Sequence, residues 1–313
     1  MDHARNSHAS ARHIRVSGIV ARGFDQQGGG GIGPGRRIRR GCAAGCDRGA
    51  HRLRRNRAQG TDEQRTRLDR QFPGQVRAAK LGRRSADPDI RVDIDSFSRP
   101  VLHFTIKPRE ALDPVHVYVC HFKSKAPTKV FRESWFRADE TTYKKHATGL
   151  GSAISTIRRT AEAAALRFML SEQMKGTGTP VIVLGDINDG QHSNTANILT
   201  EQPKYLVGDS VGGGDTSLYT AQTLQEYRNT RDVYYTHIHQ DIMESLDHIL
   251  VSEEFYDNSR KRVWMFDGMT VNNDHLNFDN HKETGTNDHG IICATFKYKP
   301  IKAEARAIVE EDT

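Results

Sequence analysis

Four short motifs in the sequence combine histidine, carboxylate and amide side chains. They read His121-Phe-Lys-Ser, Gly185-Asp-Ile-Asn, Leu246-Asp-His and Asn287-Asp-His. Histidine transfers protons near neutral pH, whereas carboxylate and amide oxygens are ligands for hard divalent cations. Each motif adjoins an apolar stretch that predicts a strand, and loops at strand ends present catalytic groups on a rigid scaffold.

The first motif directly follows a strand predicted at Val115–Cys120. A histidine at a strand end can protonate a leaving oxygen, and Lys123 could neutralise a phosphate. The alternative is a solvated loop in which Ser124 caps a turn. Taken alone, the motif leaves both interpretations open.

The second motif ends a buried strand predicted at Pro180–Leu184. Because side chains alternate along a strand, Asp186 and Asn188 point to the same side. A carboxylate and an amide there suit a divalent cation and a phosphate oxygen, and Gly185 lets the backbone approach closely. The alternative is an Asx turn that closes the strand.

The third and fourth motifs each contain an Asp-His pair. Asp247 lies inside an apolar strand predicted at Leu246–Ser252, where a carboxylate needs a partner. A histidine from a neighbouring strand would provide it, and a buried structural ion pair is the alternative. In the fourth motif, Asp288 could bind a metal while His289 contacts phosphate or water. A turn-capping aspartate beside a surface histidine is the simpler interpretation of that dipeptide alone.

The elements that must position these motifs are predicted to be strands and one long helix. Pro100–Ile106 and Val115–Cys120 predict a hairpin. Further strands are predicted at Asp232–Thr236, Arg262–Val271 and Gly290–Tyr298. Together with the helix they indicate an α+β class, or an α/β sandwich, with more than one layer.

The long helix is predicted at Thr148–Met174 from small and apolar residues at helical spacing. These residues are Leu150, Ile154, Ile157, Ala161, Ala164, Ala165, Phe168 and Met169. Ser193 could cap a second, short helix that runs through Leu199.

Residues 1–86 differ in composition from the rest of the chain. Arginine, glycine and alanine dominate them, and Phe24 and Phe72 are their only aromatic residues. The net charge of +7 and the pI near 9.2 come from this basic segment, because the remainder is net acidic. Such a composition buries too little apolar surface to offset the entropy of ordering it. We interpret residues 1–86 as a disordered basic arm that binds nucleic acid or an acidic partner or, preferably, as an out-of-frame translation of GC-rich DNA. Residues 87–313 are then one incomplete domain.

Outside the four motifs, few features of the sequence indicate a metal site or a location in the cell. Cys42 and Cys46 form a lone C-x3-C without a second pair, which predicts a zinc site only weakly. No apolar run reaches the roughly 20 residues that span a membrane, and no apolar segment of a secretory signal is present. The default expectation is a cytoplasmic protein.

The order of the four motifs along the chain resembles the endonuclease/exonuclease/phosphatase family. Ser98-Arg-Pro-Val-Leu also resembles the segment that precedes the first motif in that family, so the resemblance covers roughly Asp87–Lys299. It implies a DNase I-like four-layered fold, with two packed β-sheets flanked by helices. It also implies Mg2+ or Mn2+ as cofactor and hydrolysis of a phosphodiester, as in a nuclease, or of a phosphomonoester by in-line attack of water.

The resemblance implies catalytic roles for four residues. His121 resembles a general acid whose orienting carboxylate is Asp247. His289 resembles a general base or a contact to the phosphate in the transition state, and Asn188 resembles a group that holds water or phosphate. Whether Asp186 or His289 activates water stays open at this point.

The resemblance further implies ligands for the metal and the substrate. Asp186 and Asp288 are the expected metal ligands, and Lys123 and Asn188 are the expected contacts to the substrate phosphate. The segment Tyr234-Tyr-Thr-His-Ile-His-Gln could stack a base or sugar, or cap the core. The expected partner is a phosphate-ester substrate, including DNA or RNA.

The N-terminal part of the family pattern is missing from residues 1–86. Such enzymes begin with a strand ending in Asn and a strand ending in Gln-Glu, whose Glu is the principal metal ligand. Glu63 is the only glutamate in residues 1–86, and no apolar strand precedes it. We therefore expect the N-terminal strands to be missing, a sheet edge to be unpaired and the chain to be weakly active or inactive. The alternatives are a catalytically inactive nucleic-acid-binding protein and a truncated or misannotated reading frame.

Overall fold

A computed structural model describes residues 13–18, 67–68, 94–108, 112–203, 215–229, 231, 235–277 and 281–301. All of them belong to one unit, residues 1–20 and 65–313, and a second unit, residues 21–64, lies outside the described ranges. Cys42, Cys46 and Glu63 therefore lie outside the described residues. The division of the chain at residue 86 stays a prediction.

A six-stranded sheet forms the centre of the domain. In spatial order its strands are β2 (Arg67–Leu68), β3 (Val101–Ile106), β4 (Val115–His121), β5 (Val181–Asp186), β9 (Asp247–Val251) and β6 (Tyr219–Thr220). β4 and β5 are parallel, and the other neighbouring pairs are antiparallel. A parallel pair needs a long crossover connection, and here that connection contains the long helix. The predicted β3–β4 hairpin is confirmed.

A second sheet has three antiparallel strands in the order β1 (His13–Gly18), β11 (Ile291–Tyr298) and β10 (Trp264–Asn272). A separate two-stranded hairpin consists of β7 (His237–His239) and β8 (Ile242–Glu244). Most strand predictions are confirmed with ends shifted by one or two residues. The strand predicted at Asp232–Thr236 is different: residues 232–234 lie outside the described ranges, and β7 begins after Thr236.

The two larger sheets pack face to face around an apolar core. It contains Val115, Val117, Ile182, Leu184, Ile249 and Val251 from one sheet, and Trp264, Phe266, Met269, Ile292, Ala294 and Phe296 from the other. A second core lies on the other face of the six-stranded sheet, under helices α3 (Ala147–Met174) and α4 (Asn194–Thr200). The predicted α+β class, with two packed sheets and flanking helices, is thus confirmed.

The remaining helices are short. They are α1 (Ser134–Ala138), α2 (Glu140–Tyr143), α5 (Ala221–Arg228) and α6 (His281–Thr284). Ser193 caps α4 as predicted, because its side chain accepts a hydrogen bond from the Ala196 backbone amide. None of the helices in the described part of the chain has the length and hydropathy to span a bilayer.

The buried face of the long helix matches the predicted one only in part, at Ala161 and Ala165. Ile157 and Phe168, predicted on its apolar face, are about half exposed, whereas Ser155, Arg159 and Glu162 are buried. A hydropathy pattern assigns charged residues to the solvent side, and here two of them instead hold loops beside the site described below. The apolar pattern therefore predicted the helix correctly and its buried face only in part.

A strand that the sequence did not predict occurs within residues 1–86. β1 pairs with β11 from His13↔Lys297 to Gly18↔Ile292, so this edge of β11 is paired and not open. Ile14 and Val16 stand two residues apart, as one face of a strand requires, and Val16 packs against the core between the sheets. Two apolar residues among arginine, histidine and serine are too weak a signal to recognise from composition.

The backbones of β4 and β5 leave no room for a side chain at Gly185. Its φ is +134°, and a Cβ placed there would lie 1.9 Å from the Cys120 carbonyl oxygen on β4. We expect Gly185→Ala to lower the free energy of unfolding by at least about 3 kcal/mol, because backbone strain adds to a clash between packed strands. Urea denaturation followed by tryptophan fluorescence measures the change.

Gly178 offers the matched control for that substitution. A Cβ at Gly178 meets nothing within 4 Å, so Gly178→Ala should change the free energy of unfolding by no more than about 0.5 kcal/mol. Equal stability of the two variants would show that the close approach of β4 and β5 at Gly185 is not rigid.

Candidate active site

Three of the predicted site residues form one row across the centre of the six-stranded sheet. His121 pairs with Asp186 on the parallel neighbour, and Asp186 pairs with Asp247 on the antiparallel neighbour. Earlier rows on the same face are apolar: Val119 with Leu184 and Ile249, and Val117 with Ile182 and Val251. The face that forms the core between the sheets thus ends in a polar row at one end of the sandwich.

Asn188 folds back onto Asp186 just after β5 ends. Its φ is +54°, in the left-handed region that asparagine tolerates. Its backbone amide donates to Asp186 Oδ1 at 2.7 Å, and its side-chain amide donates to Asp186 Oδ2 at 3.1 Å and to the Phe122 carbonyl at 2.9 Å. The Asx turn considered as the alternative is therefore present, and it holds the Asp186 carboxylate in one orientation.

Asp247 forms its close contact with His289. His289 Nδ1 donates to Asp247 Oδ2 at 2.8 Å, and the His289 carbonyl accepts a hydrogen bond from His275 Nε2 at 3.0 Å. The sequence predicts Asp247 as the orienting carboxylate of His121, but the histidine that it contacts in the described part of the chain is His289. The loop before β11 brings His289 over the end of β9, while the strand register places His121 beside Asp186.

His121 and His289 both lie near the same carboxylate oxygen of Asp186. His121 Nε2 is 3.3 Å from Asp186 Oδ2, and His289 Nε2 is 4.0 Å from the same oxygen. Burial, together with the positive charges of Arg99 and His289, lowers the pKa of His121 to about 4. Arg99 reaches this site by donating from Nη1 to the Phe122 carbonyl at 3.1 Å. His121 is therefore neutral at neutral pH.

The pKa values of Asp186 and His289 are both raised. Burial, with the negative charge of Asp247, raises the pKa of Asp186 to about 7. Burial alone would lower the pKa of His289, but the hydrogen bond and charge of Asp247, with the charges of Asp186 and Asp288, raise it overall. Asp186 is thus suited to accept a proton near neutral pH, and His289 is suited to donate one.

No protein-family model and no curated protein matches the sequence. Solved structures do resemble it, including the human Nocturnin catalytic domain with bound sulfate. That structure is 17% identical at a TM-score of 0.36, and the match covers 64% of this chain and 53% of that one. An endonuclease/exonuclease/phosphatase family protein from Bacteroides thetaiotaomicron is 12% identical at a TM-score of 0.36, with 69% and 62% covered.

A truncated TDP2 from Caenorhabditis elegans is also similar, at 14% identity and a TM-score of 0.32, with 63% of this chain and 58% of that one covered. The structures it resembles include members of the family whose motifs the sequence resembles. The chain spans between about half and just under two thirds of the length of these three structures. The residues that indicate a functional site in this chain are Asp186, Asp247 and His289, which lie close together.

Two further predicted site residues lie away from the row. Lys123 Nζ donates to Ser124 O, Ser124 Oγ and Ala126 O at 3.2–3.4 Å, within its own loop. Asp288 is exposed and lies in a group of possible metal ligands with His237 and His289. The two expected metal ligands, Asp186 and Asp288, thus fall into separate groups that share His289.

A buried glutamate that the sequence analysis missed holds the first motif in place. Glu162 on α3 is fully buried and accepts hydrogen bonds from the backbone amides of Lys123 at 2.7 Å and Ser98 at 2.6 Å. Arg158 donates to the same carboxylate at 3.3 Å. Because Ser98 precedes Arg99 in the chain, this single side chain anchors both loops that flank His121.

A second buried charge on α3 links the first two motifs. Arg159 donates to the Lys123 carbonyl at 3.3 Å and to Asp189 Oδ2 at 3.4 Å. Lys125 Nζ lies 2.6 Å from Glu244 Oε1 on β8 and 3.8 Å from Asp189 Oδ1, so it connects the β7–β8 hairpin to the same loop. The only signal in the sequence was the position of Asp189 beside the second motif.

The row of side chains has the chemistry of a divalent-cation site. Ligand atoms of Asp186, Asp247 and His289 lie within 4.8 Å of one another. Among the described residues, Asp247 Oδ1 is buried without a hydrogen-bond partner. The two carboxylates also repel each other, which contributes to the raised pKa of Asp186. A divalent cation would compensate both features, and carboxylate oxygens are the ligands that Mg2+ and Mn2+ prefer.

Proposed function

We propose that this domain hydrolyses phosphate esters, either phosphodiesters or phosphomonoesters. Water is the attacking group, and the divalent cation that the reaction requires is Mg2+ or Mn2+. The observation that carries the proposal is geometric: His289 is hydrogen-bonded to Asp247 at 2.8 Å, and its Nε2 lies 4.0 Å from Oδ2 of the buried Asp186. A proton acceptor and an oriented proton donor thus meet at one end of the sandwich. Groups of this kind assist the in-line hydrolysis of a phosphate ester.

Each residue of the row has a part in the proposed reaction. Asp186 accepts the proton of the attacking water, and Asn188 and His121 fix the direction in which its carboxylate faces. His289 donates from Nε2 to a phosphoryl oxygen as negative charge builds there. Asp247 holds Nδ1 of His289 in the protonated tautomer and favours the imidazolium.

Asp186 and Asp247 would hold the cation, which offsets charge on the phosphoryl oxygens when it is bound. In the described part of the chain, the group contains two carboxylates and one imidazole, and residues 1–86 contain no Gln-Glu. Fewer carboxylates weaken the binding of Mg2+. We therefore propose that the chain needs higher Mg2+ concentrations than enzymes with a third carboxylate and that its turnover is low.

Hydrolysis assays on the purified full chain test this function. The substrates are bis(p-nitrophenyl) phosphate, p-nitrophenyl phosphate and plasmid DNA, each with Mg2+, with Mn2+ and with EDTA. We expect slow hydrolysis of at least one substrate that EDTA abolishes and added Mg2+ restores. The exposed His146 supplies the matched control, because His146→Ala should leave the rate unchanged.

Two results would contradict the proposal. Hydrolysis that persists in EDTA would show that no divalent cation takes part. Salt-sensitive DNA binding without any hydrolysis, at every Mg2+ concentration, would instead support a catalytically inactive nucleic-acid-binding protein.

A further inference from the structure

A second set of possible metal ligands lies next to the proposed catalytic row. His237 on β7, with Asp288 and His289 from the loop before β11, place one ligand atom each within 4.8 Å of one another. The rings of His237 and His289 have their centroids 4.8 Å apart. Two imidazoles and one carboxylate form a different donor set from the oxygen-rich group around Asp186.

Thr236 fixes the position of His237 relative to His289. The Thr236 hydroxyl accepts hydrogen bonds from the backbone amides of Leu246 at 2.9 Å and Asp247 at 3.1 Å. The Thr236 carbonyl accepts a hydrogen bond from the Gly290 amide at 2.7 Å. His237 and His289 are the direct chain neighbours of these two bonded residues, so their rings are brought together by the backbone and not by chance contact of long side chains.

His237 also carries an unsatisfied polar atom. Its Nδ1 is buried and has no hydrogen-bond partner among the described residues. Buried ring nitrogens almost always have a partner, because leaving such a group without a hydrogen bond is unfavourable. A ligand that accepts an electron pair from the ring would remove that cost.

His289 has the arrangement that metal-binding histidines usually show. Its Nδ1 donates to Asp247 Oδ2 at 2.8 Å, which leaves Nε2 as the free ring nitrogen. A carboxylate hydrogen-bonded to the other ring nitrogen orients a ligand histidine and raises its basicity. Asp288 is exposed beside it and can turn its carboxylate towards an incoming ion.

We propose that His237, Asp288 and His289 bind a divalent cation of the imidazole-preferring class, represented by Zn2+. Three protein ligands of N and O type leave a fourth position for water, as tetrahedral Zn2+ sites allow. Mg2+ prefers oxygen ligands and is a poor competitor for two imidazoles. The site is therefore separate in chemistry from the one between Asp186 and Asp247, although His289 belongs to both groups of possible ligands.

One consequence rests on the proposed function. A cation on His289 Nε2 occupies the atom that would contact the phosphoryl oxygen, so Zn2+ should inhibit hydrolysis even at saturating Mg2+. His237→Ala should be less sensitive to that inhibition than the wild type. His237 thus acts as the residue that makes the site responsive to Zn2+.

Co2+ binding tests the site without reference to activity, because Co2+ replaces Zn2+ and gives visible absorption bands that report its ligands. The probe is Co2+ added to metal-free full chain carrying Cys42→Ser and Cys46→Ser, so that thiolates cannot contribute. We expect saturable absorption from one ion per chain that excess Mg2+ does not remove and Zn2+ abolishes. His237→Ala should weaken Co2+ affinity by at least about tenfold.

Two further variants make the result decisive. His239 lies on the same strand but is exposed, so His239→Ala should bind Co2+ like the parent. Asp288→Asn, a change at an exposed residue that should not disturb folding, should weaken binding as His237→Ala does. The proposal is overturned if His237→Ala and Asp288→Asn bind as the parent does, or if His239→Ala is equally impaired. Co2+ binding without any hydrolysis would leave this site intact and count against the proposed function alone.

Discussion

Replacing His289 by alanine is expected to lower kcat/KM for a phosphate ester by about 10²–10⁴-fold, the usual contribution of a positioned proton donor. The hydrogen bond and negative charge of Asp247 raise the pKa of His289, which favours its protonated form. Steady-state hydrolysis at saturating Mg2+ measures the change. His239→Ala on the same hairpin as His237 is the control, and it should retain wild-type kinetics.

A double-mutant cycle tells whether Asp247 acts through His289. Asp247→Asn alone should also lower kcat/KM, because the hydrogen bond at 2.8 Å then no longer favours the imidazolium. When it is combined with His289→Ala, Asp247→Asn should cause little further loss of kcat/KM, since the effects of substituting two residues that act as a unit are not additive. Losses that multiply in the double variant would show that Asp247 has an independent part in catalysis.

Replacing Asp186 by asparagine is expected to have opposite effects on activity and stability. The variant cannot accept a proton from water, so kcat should fall by about 10²–10⁴-fold. Its free energy of unfolding should nevertheless rise, because a buried carboxylate that faces Asp247 is destabilising when ionised. Hydrolysis assays and urea denaturation in EDTA measure the two effects on the same preparation.

The stability effect of Asp186→Asn should depend on pH in one direction. The pKa of Asp186 is about 7 in the folded protein and near 4 in the unfolded chain. Its stability contribution is thus fully present below about pH 4 and is lost as the pH rises through 7. The variant should gain about 1–3 kcal/mol over the wild type at about pH 8 and almost nothing at about pH 4. An advantage that is independent of pH would contradict the raised pKa.

Local patterns in the sequence were sufficient to place the motifs on strands. Alternation in Val115–Cys120 and the apolar run before Gly185 predicted β4 and β5, and residue types at their ends predicted where polar chemistry would occur. The strand register was not predictable, because it depends on pairings between segments more than 60 residues apart along the chain. Only that register shows that His121, Asp186 and Asp247 share one row.

The histidine that contacts Asp247 could not be predicted from the sequence. An aspartate in an apolar strand indicated that a histidine must be near, and the family resemblance indicated His121, whereas the contact in the structure is with His289. The choice depends on how the loop before β11 crosses the end of the sandwich. Glu162 and Arg159 were missed for a related reason: charged residues on an amphipathic helix are expected in solvent, and their buried partners are backbone groups that carry no residue identity.

The bond between Asp247 and His289 also joins the two large sheets. Asp247 opens β9 in one sheet, and His289 stands just before β11 in the other. A displacement of one sheet over the other therefore misaligns the proton donor while every site residue keeps its identity and its own strand. Substitutions deep between the sheets, at Ile249 or Phe296 for example, would act on turnover from a distance. Under the proposed function, the rate of hydrolysis should therefore fall when the packing between the two sheets is loosened.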